Sequence, residues 1–356
     1  MGGGPVKSDR NRSRKRGPLG RRKELENLMD PLSKVPLGKT NLRVTRLGLG
    51  GAPLGGLFQD VAESEALATI RRALEMGINF FDTAPLYGHG KSERRMGRAL
   101  AGTERSQFVL ATKVGRLLVP VAPGELQPDE FDRPEPFRPV FDFSYEGVMR
   151  SFEESRKRLN LERIDILHIH DPDDHYEEAI KGAYPALAEL RRQGRIGAVG
   201  AGMNQAEMLA RFAREGEFDC FLLAGRYTLI DHTGLQELLP LCVEKRISII
   251  LGGPYNSGIL ATGARPGAKF NYADAPPEVM EKARRVEQIC QRFSVPLRAA
   301  ALQFPLAHPA VASVIPGARS VAELEENFRL MSYPIPAAFW AALREAQLIP
   351  AGAPTP

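Results

Sequence analysis

The sequence predicts one (β/α)8 barrel, the TIM-barrel form of the α/β class, with an N-terminal hairpin and extra loops and helices at its mouth. Short apolar runs alternate with amphipathic helical stretches along most of the chain, as expected for parallel strands joined by crossover helices. Eight such strands can be counted, where an open sheet normally shows fewer. The length of 356 residues suits one barrel of typically ~250 residues with appendages. The expected division is a disordered basic tail over 1–30, the barrel over 31–348 and a C-terminal tail over 349–356.

Residues 1–23 carry nine Lys and Arg against one Asp and almost nothing apolar. They cannot bury enough surface to offset their ordering entropy. The rest of the chain has 39 basic and 42 acidic side chains, so the folded part is mildly acidic although the formal net charge is +5. The tail lacks the apolar segment of a secretory signal and the periodicity of a transit peptide. No apolar run is long enough to span a bilayer. A cytoplasmic enzyme acting on a small molecule is expected, with no membrane partner and no specific nucleic-acid partner. Cys220, Cys242 and Cys290 are odd in number and widely spaced, which reads as reduced packing residues.

Leu37 to Thr45 reads as a hairpin with a Gly-containing turn, placed to plug the barrel floor. LGLGGAPLGG at 47–56 ends the first barrel strand, and Gly51 there would let a flat ligand approach the backbone. The alternation is then regular: helix 63–76 and strand 79–82, helix 92–100 and strand 108–113, helix 145–159 and strand 164–170. Helix 177–193 and strand 197–201 follow, then helix 205–215 and strand 219–224, helix 234–245 and strand 247–251. The last strand is 312–315. Helix 277–293 has Val279, Ala283, Val286 and Ile289 on one side, as for a face packed on the barrel. Gly115 to Ser144 interrupts the pattern with prolines, acids and large apolar residues, and reads as an irregular lid over a pocket.

Strand 79–82 ends in Asp82 and strand 108–113 ends in Lys113. In a parallel barrel those ends share one mouth, where such residues are more often catalytic than stabilising. Tyr87 follows in a Gly-Pro-rich loop, and a nearby ammonium would lower the pKa of its phenol. Acid, phenol and amine together suggest proton transfer. HIHDPDDH at 168–175 is the most metal-like stretch, since a His-x-His strand end holds the ions of some barrel hydrolases. The other histidines, His89, His232 and His308, end no predicted strand, so a metal site fails on ligand count and none is expected. His168 reads as a satisfied core residue, and His175 as a surface one.

DTAPLYGHGKSE at 82–93 followed by ATK at 111–113 resembles the aldo-keto reductases, and the resemblance runs from about Leu42 to Ala346. It implies a nicotinamide-dependent oxidoreductase with a catalytic tetrad of Asp82, Tyr87, Lys113 and His170. Tyr87 would be the acid-base, Lys113 would hold its pKa down, Asp82 would hold Lys113, and His170 would orient the substrate oxygen. No G-x-G-x-x-G fingerprint is present, so the cofactor would lie across the barrel mouth and not in a Rossmann site.

The same resemblance assigns Asn204 to the carboxamide, with Met203 where the family has Ser. It assigns the loop with Gly253, Pro254, Tyr255, Asn256 and Gly258 to the pyrophosphate. Gly252 replaces a stacking aromatic, for which Tyr227 or Tyr255 would substitute. Gly317, Arg319, Glu323, Glu326 and Asn327 are assigned to the adenosine end. A carboxylate at Glu323 disfavours a 2′-phosphate, so NAD is the expected cofactor, with NADP the alternative that Arg319 would serve. GRLL, FDFSYEGVMRS, HIHDPDD, GAGMNQ and LLAGRYTL resemble the branch that oxidises cyclic hemiacetals to lactones. That implies an aldose 1-dehydrogenase of the L-fucose or L-galactose type. The alternatives are a pyridoxal 4-dehydrogenase and a broad NADPH-dependent reductase of aldehydes and ketones.

Overall fold

Eight short parallel strands form the centre of the computed structural model, which describes residues 1–2, 29–122 and 124–356. The basic tail expected over 1–30 therefore lies almost wholly outside the described residues. In chain order the first elements are β1 (Lys34–Pro36), β2 (Arg43–Thr45), β3 (Leu49–Gly50), β4 (Phe80–Asp82) and β5 (Val109–Val114). Next come β6 (Arg116–Pro120), β7 (Phe137–Phe141), β8 (Ile166–His170), β9 (Ala198–Met203) and β10 (Cys220–Ala224). β11 (Ser248–Gly252), β12 (Lys269–Phe270), β13 (Ala273–Asp274) and β14 (Val311–Ile315) complete the strands.

The sheet order is β3-β4-β5-β8-β9-β10-β11-β14, all pairs parallel. Parallel bridges from Leu47 to Val314 and from Gly50 to Gly317 join its two edges, so the sheet closes into a (β/α)8 barrel. Two apolar cores follow from the strand alternation. Inward residues Phe80, Ala111, Ile166, Ala198 and Ile250 cluster with Leu37 and Val44 of the β1–β2 hairpin, which plugs the barrel. Outward residues pack beneath the surrounding helices.

The helices show why their sequences fold as they do. In α1 (Glu63–Glu75) the buried positions are Ala66, Thr69, Ile70 and Ala73, one helical face. α2 (Lys91–Leu100) crosses α3 (Tyr145–Leu159) at Gly97, where a Cβ would sit 2.3 Å from the Leu159 carbonyl oxygen. α3 begins at Ser144, whose Oγ accepts from the Gly147 N–H at 3.0 Å, and ends at left-handed Asn160.

Two elements differ from expectation. The stretch 177–193 is one helix in the sequence reading, but it opens into a wide π turn over Ala179–Ala183 before α4 (Tyr184–Arg192). Residues 115–144 are not an irregular lid throughout: β6 and β7 form an antiparallel arm with Arg116 opposite Phe141 and Pro120 opposite Phe137. Pro139 is tolerated because this two-stranded arm consists of edges. At the other end of the chain, Ile349 and Ala353 are buried, and Arg344 Nη2 donates to the Ala353 carbonyl at 3.1 Å. Among the described residues, no helix is long and apolar enough to cross a membrane.

At the floor, buried Asp165 precedes β8 and accepts from the Leu110 N–H at 2.8 Å, from Arg163 at 2.9 Å and from Arg105. Asp165→Ala would orphan a buried amide and remove a charge partner, so a loss of about 3 kcal/mol of stability is expected in urea unfolding. A change below about 1 kcal/mol would show that Asp165 does not tie β5 to β8.

Candidate active site

The mouth lies at the carboxyl ends of the strands, where Asp82 ends β4 and Lys113 stands one residue before the end of β5. Lys113 Nζ donates to Asp82 Oδ1 at 3.0 Å, to Asp82 Oδ2 at 2.8 Å and to the Thr83 carbonyl at 2.8 Å. Both side chains are buried, at 1% and 2% exposure, so all three ammonium protons are matched inside the protein. Thr83 Oγ1 donates to Ser92 Oγ at 2.9 Å, and Ser92 Oγ donates to the Gly51 carbonyl at 2.8 Å. The Gly51 N–H donates to the Asp82 carbonyl at 2.8 Å. These bonds lock the end of β4 to the first loop and to the start of α2.

Tyr87 is placed by a close approach of two glycines. Gly88 has φ +61°, and a Cβ there would lie 2.2 Å from the Gly55 carbonyl oxygen. A Cβ on Gly55 would lie 2.6 Å from the Tyr87 carbonyl carbon. No larger residue lets the two loops pack so closely. The Tyr87 ring then sits with Lys113 Nζ 4.6 Å from its centroid, His170 edge-on at 6.0 Å and Phe131 of the lid at 6.1 Å.

The structure thus brings Asp82, Tyr87, Lys113 and His170 to one place. The electrostatics differ from the sequence reading. Burial, followed by the Asp82 charge, raises the Tyr87 phenol well above its ordinary value, and Lys113 does not reverse this. Its ammonium is spent on Asp82 and Thr83 and faces the ring. Burial also raises the Asp82 carboxyl, with Lys113 opposing. His170 is held neutral by burial, then by the positive charges of Arg116 and Lys113. His168, in register with Lys113 and Gly200, is fully buried and falls to about 3 through burial and then Lys113. Neither ring nitrogen makes a hydrogen bond of good geometry among the described residues, and the polar contact with the Ala201 backbone is outweighed by burial. Gly200 makes its space: a Cβ there would lie 2.2 Å from His168 Nδ1.

A cleft of about 170 Å³ runs beside these residues. Gly51, Asn204, Gly253, Asn256 and Gly317 line it, together with Gly252 and Leu222. Gly253, Asn256, Ser257 and Gly258 all have positive φ, a concave succession of turns in which the Asn256 and Gly258 N–H groups donate to the Gly253 and Tyr255 carbonyls at 2.9 and 3.0 Å. Asn256 Nδ2 donates to the Gly225 carbonyl at 2.9 Å, while its buried Oδ1 has no partner among the described residues. Pro254 and Tyr255 lie on the same loop but outside the cleft lining. Tyr255 OH donates to Asn327 Oδ1 at 2.7 Å, and Arg298 donates to the same oxygen at 3.1 Å and to Glu326. Neither Tyr255 nor Tyr227 covers the cleft at Gly252; Tyr227 is buried against Phe304 and His308. At the far end Arg319 Nη2 donates to Glu323 Oε1 at 3.0 Å.

A second cavity of about 520 Å³ opens from Tyr87 and His170 toward solvent. Its wall includes Glu130 and Phe131 of the expected lid, and Arg116, Asp171 and Asp173, which had no individual role in the sequence reading. Arg116 Nη2 donates to Asp171 Oδ2 at 3.0 Å, and that oxygen lies 3.4 Å from His170 Nε2. The signal for these two was proximity in sequence, three residues beyond Lys113 and one beyond His170. Tyr272, which lines both chambers, and Phe58, which lines the first, have rings 6.2 Å apart and carry no motif that could have marked them.

Comparison with known proteins agrees with this architecture. The sequence profile described as the Aldo/keto reductase family matches residues 46–347. A D-threo-aldose 1-dehydrogenase of a Pseudomonas species is 40% identical over 315 residues, covering 87% of this chain and 96% of that protein. A pyridoxal 4-dehydrogenase of Microbacterium luteolum is 39% identical over 334 residues, covering 89% and 98%. The holo form of an aldo-keto reductase from Bacillus halodurans superposes with a TM-score of 0.70 at 26% identity, covering 91% of this chain and 98% of that one. The chain belongs to the aldo/keto reductase family, and is an NAD(P)-dependent oxidoreductase. The glycine-lined cleft, its concave backbone and the orphaned Asn256 Oδ1 fit a nicotinamide dinucleotide.

His168 gives a test of the buried electrostatics. It protonates near 6.5 in the unfolded chain and near 3 when folded, so the unfolded state binds the extra proton between those values. Acid therefore erodes stability across that window. Replacing His168 by Leu should flatten the pH dependence of urea-unfolding stability between pH 6 and 4, by about 1.4 kcal/mol per pH unit. Parallel curves for the two proteins would mean that His168 is protonated in the fold.

Proposed function

We propose that the protein is an aldose 1-dehydrogenase, oxidising the cyclic hemiacetal of a sugar of the L-fucose or L-galactose type to its lactone with NAD. The observation that carries this reading is the polar wall beside His170, where Arg116, Asp171 and Asp173 face the same cavity as Tyr87. Carboxylates and a guanidinium suit a ring rich in hydroxyls better than an apolar aldehyde. The relative at 40% identity acts on aldoses by its name, which supports the same class.

When bound, the oxidised nicotinamide supplies a hydride acceptor and a positive charge. Tyr87 takes the proton of the anomeric hydroxyl as C1 is oxidised, and returns it in the reverse direction. His170, neutral at physiological pH, donates to that oxygen and fixes its direction. The Lys113–Asp82 pair keeps a cation against the phenol ring. Phe131, Leu57 and Tyr272 restrict water around the reacting oxygen.

The preference for NAD is supported by what Arg319 does. Its Nη2 and backbone N–H donate to the Glu323 carboxylate at 3.0 and 2.9 Å, and its Nη1 donates to Gln59 at 3.0 Å. A 2′-phosphate would have to compete with that carboxylate.

The direct test is reduced-nicotinamide formation against L-fucose, L-galactose, D-arabinose and pyridoxal, each with NAD and NADP. Turnover of an aldose with NAD is expected. Because the phenol of Tyr87 is held above its ordinary value, kcat/KM for oxidation should rise with pH through the neutral range, and Tyr87→Phe should lose roughly 10³-fold or more in kcat while still binding cofactor. Retained turnover in Tyr87→Phe would remove it from the acid-base role, and turnover of pyridoxal alone would overturn the sugar assignment.

Glu323→Ala should release Arg319 for phosphate, shifting the kcat/KM ratio toward NADP by about tenfold. An unchanged ratio would show that Glu323 does not select the cofactor.

A further inference from the structure

We propose that Arg116 and Asp171 form the subsite for a hydroxyl on the carbon next to the reacting one, so that the enzyme selects α-hydroxy carbonyls and their hemiacetals. This rests on the reading of Tyr87 and His170 as the groups that hold the reacting oxygen. Asp171 follows His170 directly, and its backbone is in the left-handed region at φ +43°. Its N–H donates to the Gly202 carbonyl at 3.0 Å, which fixes that turn to β9. The turn delivers the carboxylate to the cavity, with Oδ2 3.4 Å from His170 Nε2.

The geometry follows from ordinary contact distances. A substrate oxygen held by His170 Nε2 sits one hydrogen-bond length away, and the oxygen on the neighbouring carbon lies about the same distance further on. Asp171 Oδ2 closes that four-sided figure. Among the described residues, Asp171 has a single hydrogen-bond donor, Arg116. The carboxylate therefore keeps acceptor capacity for a hydroxyl, and Arg116 has further N–H groups to donate to the same hydroxyl.

Arg116 is itself held, its guanidinium carbon 4.4 Å from the centroid of Phe141 on the opposite strand of the lid arm. Lid and strand end meet in this pair. Of the other carboxylates in the wall, Asp173 accepts from Gln205, and Glu130 belongs to the lid and is exposed. Asp171 is pushed up to about 6 by burial, with Arg116 pulling down, so it is mostly ionised at neutral pH and acts as an acceptor.

The test uses reduction of glycolaldehyde and of acetaldehyde by the full-length enzyme, which differ by the one hydroxyl. The wild type should favour glycolaldehyde in kcat/KM by roughly tenfold or more, the worth of a charge-assisted hydrogen bond. Asp171→Gly removes the carboxylate without strain at positive φ, and Asp171→Asn keeps the shape while removing the charge. The selectivity ratio should fall to about twofold or less in Asp171→Gly and take an intermediate value in Asp171→Asn. A wild-type ratio near one, or a ratio that survives in both variants, overturns the subsite.

The outcome is separable from the aldose assignment. A wild type that oxidises no aldose yet shows an Asp171-dependent ratio leaves the subsite standing and removes the sugar. One that oxidises aldoses with a ratio indifferent to Asp171 does the reverse.

Discussion

The buried ion pair of Lys113 with Asp82 is the constraint on which the mouth of the barrel depends. Two charges taken out of water are stable only if every donor and acceptor is matched, and here one ammonium finds two carboxylate oxygens and the Thr83 carbonyl. That satisfaction needs β4 and β5 in one register, with Asp82 beside Ala111. It also needs the turn after Asp82 to leave the Thr83 carbonyl pointing inward. The Ser92 and Gly51 hydrogen bonds secure that turn, and Tyr87 is positioned as a consequence.

The same positive charge sets the state of its neighbours. His168 and His170 lie on the next strand, where burial opposes the protonation of both, and the charge of Lys113, preceded at His170 by that of Arg116, adds to it. Both stay neutral, so no second cation joins Lys113 on these strands. The cost falls on Tyr87. Burial of the phenol, with Asp82 below it and Asp171 across the cavity, makes it resist losing its proton. The pocket thus favours a protonated phenol when no positively charged ligand stands beside it.

The barrel was legible in sequence because strands buried on both faces read as apolar runs, and the ones ending in Asp82, Lys113 and His170 announced the mouth by placing polar groups where the runs stop. Tyr87 was legible from the loop motif around it. The pKa of Tyr87 was not, since it is set first by burial and then by the charge of Asp82, which only the folded surroundings reveal. The lid arm escaped because its pairing joins Arg116 to Phe141 across a Pro-rich connection, and its strands alternate weakly. Phe58 and Tyr272 come from loops far apart in sequence and meet only in the fold. The space that His168 occupies also lay beyond a sequence reading, since it is Gly200 on the adjacent strand that gives it room.

Under the proposed function, the electrostatics of the phenol and the choice of substrate are connected. A base whose pKa is held high has little phenolate available at neutral pH, so deprotonating an ordinary alcohol through it would be slow. An anomeric hydroxyl is more acidic than an ordinary alcohol, because the ring oxygen withdraws charge from the same carbon. It asks less of Tyr87, and the carbon it leaves behind readily gives up hydride. The wall of Arg116 and Asp171 adds affinity for the sugar's remaining hydroxyls, which an unsubstituted alcohol cannot use. A pocket that holds Tyr87 protonated is therefore compatible with oxidation when the substrate is a hemiacetal, and poorly suited to it when the substrate is a simple alcohol.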